Sequence, residues 1–115
     1  MRDRNITILT KIVQYANEVS GTISRFELNL DKFKSDYVAK NAIAMSILQI
    51  GELVGNLTEE FRQTYSKMPW RDIKALRNMA AHAYGNIDME VLWVIATVNV
   101  PELKSYCDSI IAENT

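Results

Sequence analysis

The sequence predicts an all-α fold: a bundle of four main helices with shorter helices between them. The chain of 115 residues has only four glycines and two prolines, too few for the frequent turns of an all-β fold. Apolar residues recur at three- and four-residue steps, which is the period of an amphipathic helix. At 48% hydrophobic, a chain of this length is expected to form a single domain over residues 1–115.

The first helix is predicted over roughly residues 3–27. Ile6, Leu9 and Val13 begin an apolar stripe there that continues to Ile23 at helical spacing. Asn29 and Asp31 then predict a turn, because their short polar side chains favour turns over helix interiors.

A long second helix is predicted from about Lys34 to Asn56, with two adjoining apolar stripes. One stripe suffices for the core of a monomer. The second stripe contains small residues at places where helices can approach closely: Ala44, Gly51 and Gly55. It therefore faces either another helix of the bundle or a second subunit.

A short third helix is expected to begin at Thr58, whose hydroxyl can cap it, and to end near Tyr65. Pro69 predicts the start of the fourth helix, because proline is tolerated at the first helical position. Gly85 and Asn86 predict its end.

Two further helices are predicted beyond that point. One runs from about Asp88 to Val98, and the last ends near Ala112. Between them, residues 99–102, which include Pro101, predict a break and a fresh helix start.

Charge and cysteine content limit the classes of function. The formal net charge of -1 excludes a globally basic surface, so any contact with nucleic acid must be local. The single cysteine can form no internal disulfide, and no apolar N-terminal stretch resembles a signal peptide or a membrane span. We therefore expect a cytoplasmic protein without a membrane partner.

The most informative segment is residues 77–84, which hold the only histidine of the chain. Arg77 precedes His82 by five positions, and Tyr84 follows it by two. Histidine can gain or lose a proton near neutral pH, and arginine stays charged and suits phosphate. On its own, a lone histidine near a helix end is more often structural, for example as a cap for the carbonyl groups of that end.

Helix geometry separates the two key residues. At about 100° per residue, Arg71, Lys74, Asn78 and His82 share a sector of about 80°, whereas Arg77 and His82 diverge by about 140°. A straight helix cannot aim both at one phosphate. Either the helix loosens near Gly85, or a second subunit completes the site across a two-fold axis.

With Gly51-Glu52 upstream and Pro69-Trp70 before it, the segment resembles the Arg-x4-His-x-Tyr motif of HepT-like toxins. These toxins belong to the HEPN group of small helical ribonucleases, and the resemblance covers roughly residues 43–105. It implies a HEPN-type bundle, a two-fold homodimer with the catalytic cleft at its interface, and RNA as substrate. It also implies an MntA-type nucleotidyltransferase as the antitoxin partner, which transfers AMP to Tyr84.

The chemistry expected of this motif requires neither metal nor cofactor. RNA carries its own nucleophile, the 2′-hydroxyl; His82 can serve as base or acid, and Arg77 can stabilise charge on the phosphate. The sequence has no metal-ligand cluster and no paired-carboxylate motif with the spacing of a two-metal site. Asn78 is expected to fix the imidazole or to contact phosphate, and Glu52 to orient Arg77 or His82. For Glu52, a solvated carboxylate is as plausible a role.

A different class of function stays open at this point. Helical domains of this group also occur as non-catalytic subunits that bind a nucleotide or a substrate for a nucleotidyltransferase. Cleavage of RNA in the presence of EDTA distinguishes the ribonuclease from such a module.

Overall fold

The structure, a computed structural model, describes residues 3–81 and 89–114. For residues 80 and 81 it describes the backbone alone. Within these ranges every regular element is helical, which confirms the all-α prediction. In chain order the helices are α1 (Arg4–Arg25), α2 (Leu30–Ser35), α3 (Tyr37–Gly55), α4 (Glu59–Thr64), α5 (Trp70–Ala81), α6 (Met89–Val94) and α7 (Val100–Glu113). A π-helical segment, Ile95–Asn99, joins α6 to α7. No helix in the described ranges is both long and apolar enough to cross a membrane.

Side-chain caps determine where four of the helices begin. In each case a short polar side chain accepts a hydrogen bond from a free backbone N–H of the first turn, and these capping residues are Asp3, Asn29, Asp36 and Thr58. The start of α4 at Thr58 agrees with the sequence prediction. Two predictions need correction. Asn29 begins the short helix α2 rather than a turn, and Asp36 delays the start of α3 to Tyr37 because its carboxylate binds the N–H groups of Val38 and Ala39.

The predicted helix break at residues 99–102 is wrong, because the chain stays helical from Met89 to Glu113. Proline in an α-helix removes one N–H donor and crowds the carbonyl four residues earlier. The preceding turn here adopts the wider π register, in which the N–H of Val100 donates to the carbonyl of Ile95. This local widening accommodates Pro101 without ending the helix.

Helix α3 is central to the bundle. It packs against α1 and against α5, and α1 also packs against α7. Aliphatic side chains from these helices form one continuous core, whose fully buried members include Leu9, Ile12, Ile43, Ile47, Ile50, Leu92, Val100 and Leu103. Burying one such aliphatic side chain stabilises the folded state by about 1.5–3 kcal/mol. This core is therefore the main source of stability.

Trp70 anchors the beginning of α5. Its ring is buried, and its Nε1–H donates to the carbonyl oxygen of Tyr65 at 2.9 Å. The ring centroid lies 6.0 Å from those of Phe61 and Tyr106, in tilted and edge-on arrangements respectively. The N-terminal end of α5 is thereby fixed against α4 and α7, which sets the position of the helix that carries Arg77.

The small residues of α3 face α5. A Cβ atom added to Gly51 would lie 2.8 Å from both the Cβ and the backbone nitrogen of Arg77. One added to Gly55 would meet only the methylene chain of Lys74, 3.4 Å away at its nearest carbon, Cε. The sequence left open whether this stripe faces another helix of the bundle or a second subunit. At these two glycines it faces another helix of the bundle, α5.

We predict that Gly51→Ala destabilises the protein by about 1–3 kcal/mol, because the methyl group would overlap the backbone of Arg77. Gly21→Ala is the matched control, since no neighbouring atom lies within 4 Å of the Cβ that would be added there, four residues before the end of α1. That change should stabilise the protein by about 0.5–1 kcal/mol through helix propensity. Urea unfolding of both variants tests the contrast. Equal stability of the two variants would show that α3 and α5 are not in close contact at Gly51.

Candidate active site

A groove of about 500 Å³ lies between the C-terminal half of α3 and the exposed side of α5. Its α3 wall is formed by Gly51, Glu52, Gly55 and Asn56, and its α5 wall by Arg71, Lys74, Ala75, Arg77 and Asn78. As the helical spacing predicts, Arg71, Lys74 and Asn78 are exposed on one side of α5, whereas Ile73 is buried on the other. The groove is the place where the polar side of α5 meets α3.

Glu52 and Arg77 form an ion pair across this groove. The Nε–H of Arg77 donates to Oε1 of Glu52, and the two side chains are 52% and 45% exposed respectively. The neighbouring Gly51 has no side chain, so α3 can lie close to α5 at Arg77. The side chains of Glu52 and Arg77 can therefore meet directly. Of the two possible partners predicted for Glu52, the structure brings it to Arg77.

Asn78 also contacts the guanidinium. Nη1 of Arg77 donates to Oδ1 of Asn78 at 3.4 Å, a long and weak hydrogen bond. The guanidinium has five N–H donors in a fixed fork, and Nε is its donor nearest the backbone. The ion pair with Glu52 fixes the plane of the fork and leaves terminal N–H groups available to an anion.

The groove carries more positive than negative charge. Glu52 is its one acidic lining residue, and it is paired with Arg77. Arg71 and Lys74 form no ion pair with any residue in the described ranges. The groove thus supplies a local positive surface on a chain whose net charge is -1.

His82 and Tyr84 lie outside the described residues, as do Gly85, Asn86 and Asp88, where a helix end and the next helix start were predicted. Helix α5 extends to Ala81, directly before His82. The structure therefore brings Glu52, Arg77 and Asn78 together. The two predicted routes that would bring His82 and Arg77 to one phosphate both depend on residues outside these ranges.

Metal binding finds no support in the part of the chain that the structure describes. There, no three His, Cys, Asp or Glu side chains come together in a way that could hold a metal ion. The chemistry available from the described groove is anion binding by fixed cations.

Two features of the groove were not predicted from the sequence. Gly51 fixes the distance between Glu52 and Arg77, and the side chain of Lys74 lies over Gly55. The signal for both was present in the spacing of two glycines four residues apart on an apolar stripe. That spacing indicates close approach but does not name the facing residues.

The model of a family described as ribonuclease HepT-like matches residues 8–110. The chain belongs to this family. The resemblance read from the motif is thereby confirmed, together with the HEPN-type fold that it implied. No solved structure gives a significant match to the chain.

Curated relatives of this HepT-like protein carry related names. A "Putative RNase" from Caldanaerobacter subterraneus subsp. tengcongensis is 32% identical over 84 residues, covering 73% of this chain and 75% of the relative. A "Putative RNase" from Methanocaldococcus jannaschii is 32% identical over 87 residues, covering 76% of this chain and 72% of the relative. A "Probable ribonuclease HepT" from Thermococcus cleftensis is 30% identical over 78 residues, 68% and 71% of the two chains.

We predict that Glu52→Gln lowers the free energy of unfolding by no more than about 1 kcal/mol, because both partners of the ion pair are about half exposed and screened by solvent. Urea unfolding beside the wild type measures this. A loss of about 2 kcal/mol or more, beyond the usual range for an exposed ion pair, would show that the pair stabilises the fold and does not mainly orient Arg77.

Proposed function

We propose that this protein is a metal-independent endoribonuclease in which Arg77 and His82 act on the same phosphodiester of RNA. The observation that carries the proposal is the arginine held by Glu52 beside Asn78 in a positively charged groove. Membership of the ribonuclease HepT-like family supports the reaction class. The three relatives described above are all named as RNases, which supports RNA as the substrate.

The reaction transfers the phosphoryl group from the 5′-oxygen of one nucleotide to the 2′-oxygen of its neighbour. His82 takes the proton of the 2′-hydroxyl and the 2′-oxygen attacks phosphorus. The bond from phosphorus to the 5′-oxygen breaks as a protonated His82, of the same or the second subunit, gives that oxygen a proton. The products are a 2′,3′-cyclic phosphate and a free 5′-hydroxyl. Arg77 donates hydrogen bonds to the phosphate oxygens, whose negative charge is concentrated in the transition state.

Glu52 acts on the reaction through Arg77. Held at Nε by the carboxylate, the guanidinium keeps one orientation before substrate arrives, so less rotamer entropy is lost in the transition state. Asn78 lies beside Arg77 and precedes His82 by four residues in the sequence, so we expect its amide to bind the imidazole or the phosphate.

We predict that His82→Ala abolishes RNA cleavage and that Arg77→Ala reduces it by roughly 10²- to 10³-fold, the usual cost of removing one preorganised donor from a transition state. Arg77→Lys should restore little, because a point charge replaces the fork. The assay is cleavage of a labelled RNA in EDTA, with the cyclic phosphate detected by mass spectrometry.

Arg25→Ala is the matched control, since this arginine is exposed at the end of α1 and away from the groove. It should cleave like the wild type. Glu52→Gln should fall between the control and Arg77→Ala, because the guanidinium remains but loses its charged anchor. Undiminished cleavage by His82→Ala would remove the mechanism. Nucleotide binding without any cleavage by the wild type would instead favour the non-catalytic binding module.

We also propose a two-fold homodimer that completes the site. Val38 and Met45 are 52% and 54% exposed, and at spacings of seven residues they form one line on α3 with Glu52. An exposed apolar line that leads to the groove is expected at an interface. A second subunit on this line would bring its own α5 toward the Arg77 of the first. That arrangement accounts for the divergence of about 140° that regular helical spacing predicts between Arg77 and His82.

Met45→Glu should therefore shift the protein from dimer to monomer and reduce cleavage, because a charge would be placed in a contact that must bury roughly 1,000 Å² or more. Val98→Glu is the matched control on the π-helical segment, where the valine is 47% exposed. Light scattering measures both. A monomeric wild type at micromolar concentration, or dissociation by the control alone, would contradict this interface.

In the cell we propose that the protein is the toxin of a toxin-antitoxin pair, with an MntA-type nucleotidyltransferase as its antitoxin. That partner would transfer AMP from ATP to the hydroxyl of Tyr84, with loss of pyrophosphate and of the phenolic proton. The adenylate adds negative charge and bulk two residues from His82, so it competes with RNA for the same cations. The proposal rests on the motif and on family membership.

Incubation with such a partner, ATP and magnesium should add AMP to Tyr84 and stop RNA cleavage. Mass spectrometry of the peptide that contains residues 77–84 locates the modification. Tyr84→Phe should keep its ribonuclease activity under the same conditions, whereas Tyr37→Phe, an exposed tyrosine on α3, should be silenced like the wild type. Full neutralisation of Tyr84→Phe would exclude this tyrosine as the switch.

A further inference from the structure

Arg71 and Lys74 are the two cations of the groove that the proposed reaction does not use. Both line the groove, both are exposed, and neither is neutralised by an acidic residue of the described chain. Glu52, the acidic lining residue, is occupied by Arg77. Two full positive charges therefore remain in the groove beside the residue assigned to the reacting phosphate.

The three cations follow one another along α5 at three-residue intervals: Arg71, Lys74 and Arg77. With a rise of about 1.5 Å per residue, they span about 9 Å along the helix axis. All three line the same groove, so they form a row that leads away from Arg77 toward the N-terminal end of α5. A row of cations of this kind matches a ligand that carries several linked phosphates.

The row is held in place by its contacts. The methylene chain of Lys74 runs over Gly55, where three of its carbons lie within 3.8 Å of the position a Cβ would take. This packing limits the rotamers of the lysine and keeps its ammonium group near the groove. Arg71 follows Trp70, which is buried against Phe61 and Tyr106. The packed methylene chain thus distinguishes Lys74 from a freely solvated charge, and the burial of Trp70 fixes the part of α5 from which Arg71 extends.

We propose that Arg71 and Lys74 bind the phosphates adjoining the cleaved one, so that the groove takes the backbone of single-stranded RNA over at least three successive phosphates. This inference rests on the proposed function and adds the form of its substrate. A groove of about 500 Å³ is within the usual range for ligand sites, so a segment of one RNA strand can enter it. The low net charge of the chain makes binding depend on this row.

The test is the salt dependence of binding to a labelled single-stranded RNA, measured by fluorescence anisotropy in a His82→Ala background that prevents cleavage. Arg71→Gln/Lys74→Gln should lower the slope of log Kd against log salt by about 1.4, because each single-strand phosphate contact contributes about 0.7. Lys11→Gln/Arg25→Gln is the matched control on α1, with the same loss of charge outside the groove. Lys74→Arg should retain the slope of the parent, which separates lost charge from lost packing.

Substrate length provides an independent measurement. For the wild type, kcat/KM should rise from a dinucleoside monophosphate, which has one phosphate, to a tetranucleotide, which has three. That gain should disappear in Arg71→Gln/Lys74→Gln and persist in Lys11→Gln/Arg25→Gln. Thermal melting of each variant verifies that the fold is intact.

The outcomes are distinct from those that test cleavage itself. Equal salt slopes for the groove variant and the α1 control would overturn the inference even if the protein cleaves RNA. So would tighter binding of a duplex of the same sequence, or a groove variant that loses ATP binding while its RNA binding matches that of the control. Absence of cleavage in the wild type would count against the proposed function, whereas the slopes would still test the role of Arg71 and Lys74.

Discussion

The close approach of α3 to α5 at Gly51 is the constraint on which the site depends. A side chain at this position would overlap both the Cβ and the backbone nitrogen of Arg77. Because the helices approach so closely, the carboxylate of Glu52 reaches the guanidinium directly. The same approach makes a shallow groove with a helix on each side, rather than a buried crevice. Gly51 therefore serves the geometry of Arg77, although it carries no functional group.

Charge in the groove is arranged around one acidic side chain. Glu52 offsets part of the charge of Arg77, but it also orients the guanidinium fork. An oriented fork forms hydrogen bonds to a phosphate more readily than a freely rotating one. Arg71 and Lys74 keep the groove positive around this pair. At physiological salt, charges on the rest of the surface are screened beyond about 8 Å. A phosphate in the groove would respond mainly to these nearby groups and little to the overall charge of -1.

The sequence predicted the helical class and most helix bounds because helical periodicity and capping residues are local signals, as at Thr58. It failed where two local signals competed. Asn29 was expected in a turn, but its side chain caps α2 instead. Pro101 was expected to break the helix, but a π-helical turn absorbs it. Both outcomes depend on local geometry that residue type alone does not determine.

Three of the residues predicted for the candidate site lie together in the structure, but the contacts between them could not be predicted from the sequence. Arg77, Asn78 and Glu52 were singled out from the motif and the resemblance, and the structure brings all three together. The pairing of Glu52 with Arg77 could not be chosen from the sequence, since it depends on how α3 crosses α5. The same crossing places Lys74 over Gly55.

The most direct test of the central claim is to observe the Nε–H group of Arg77 by NMR while a DNA oligonucleotide is added. DNA keeps the phosphates but lacks the 2′-hydroxyl, so it can bind without reacting. The account predicts that this resonance is shifted by Glu52→Gln in the free protein and shifts further as the oligonucleotide binds. A resonance that is unchanged by both, while the oligonucleotide still binds, would show that neither Glu52 nor phosphate contacts Arg77.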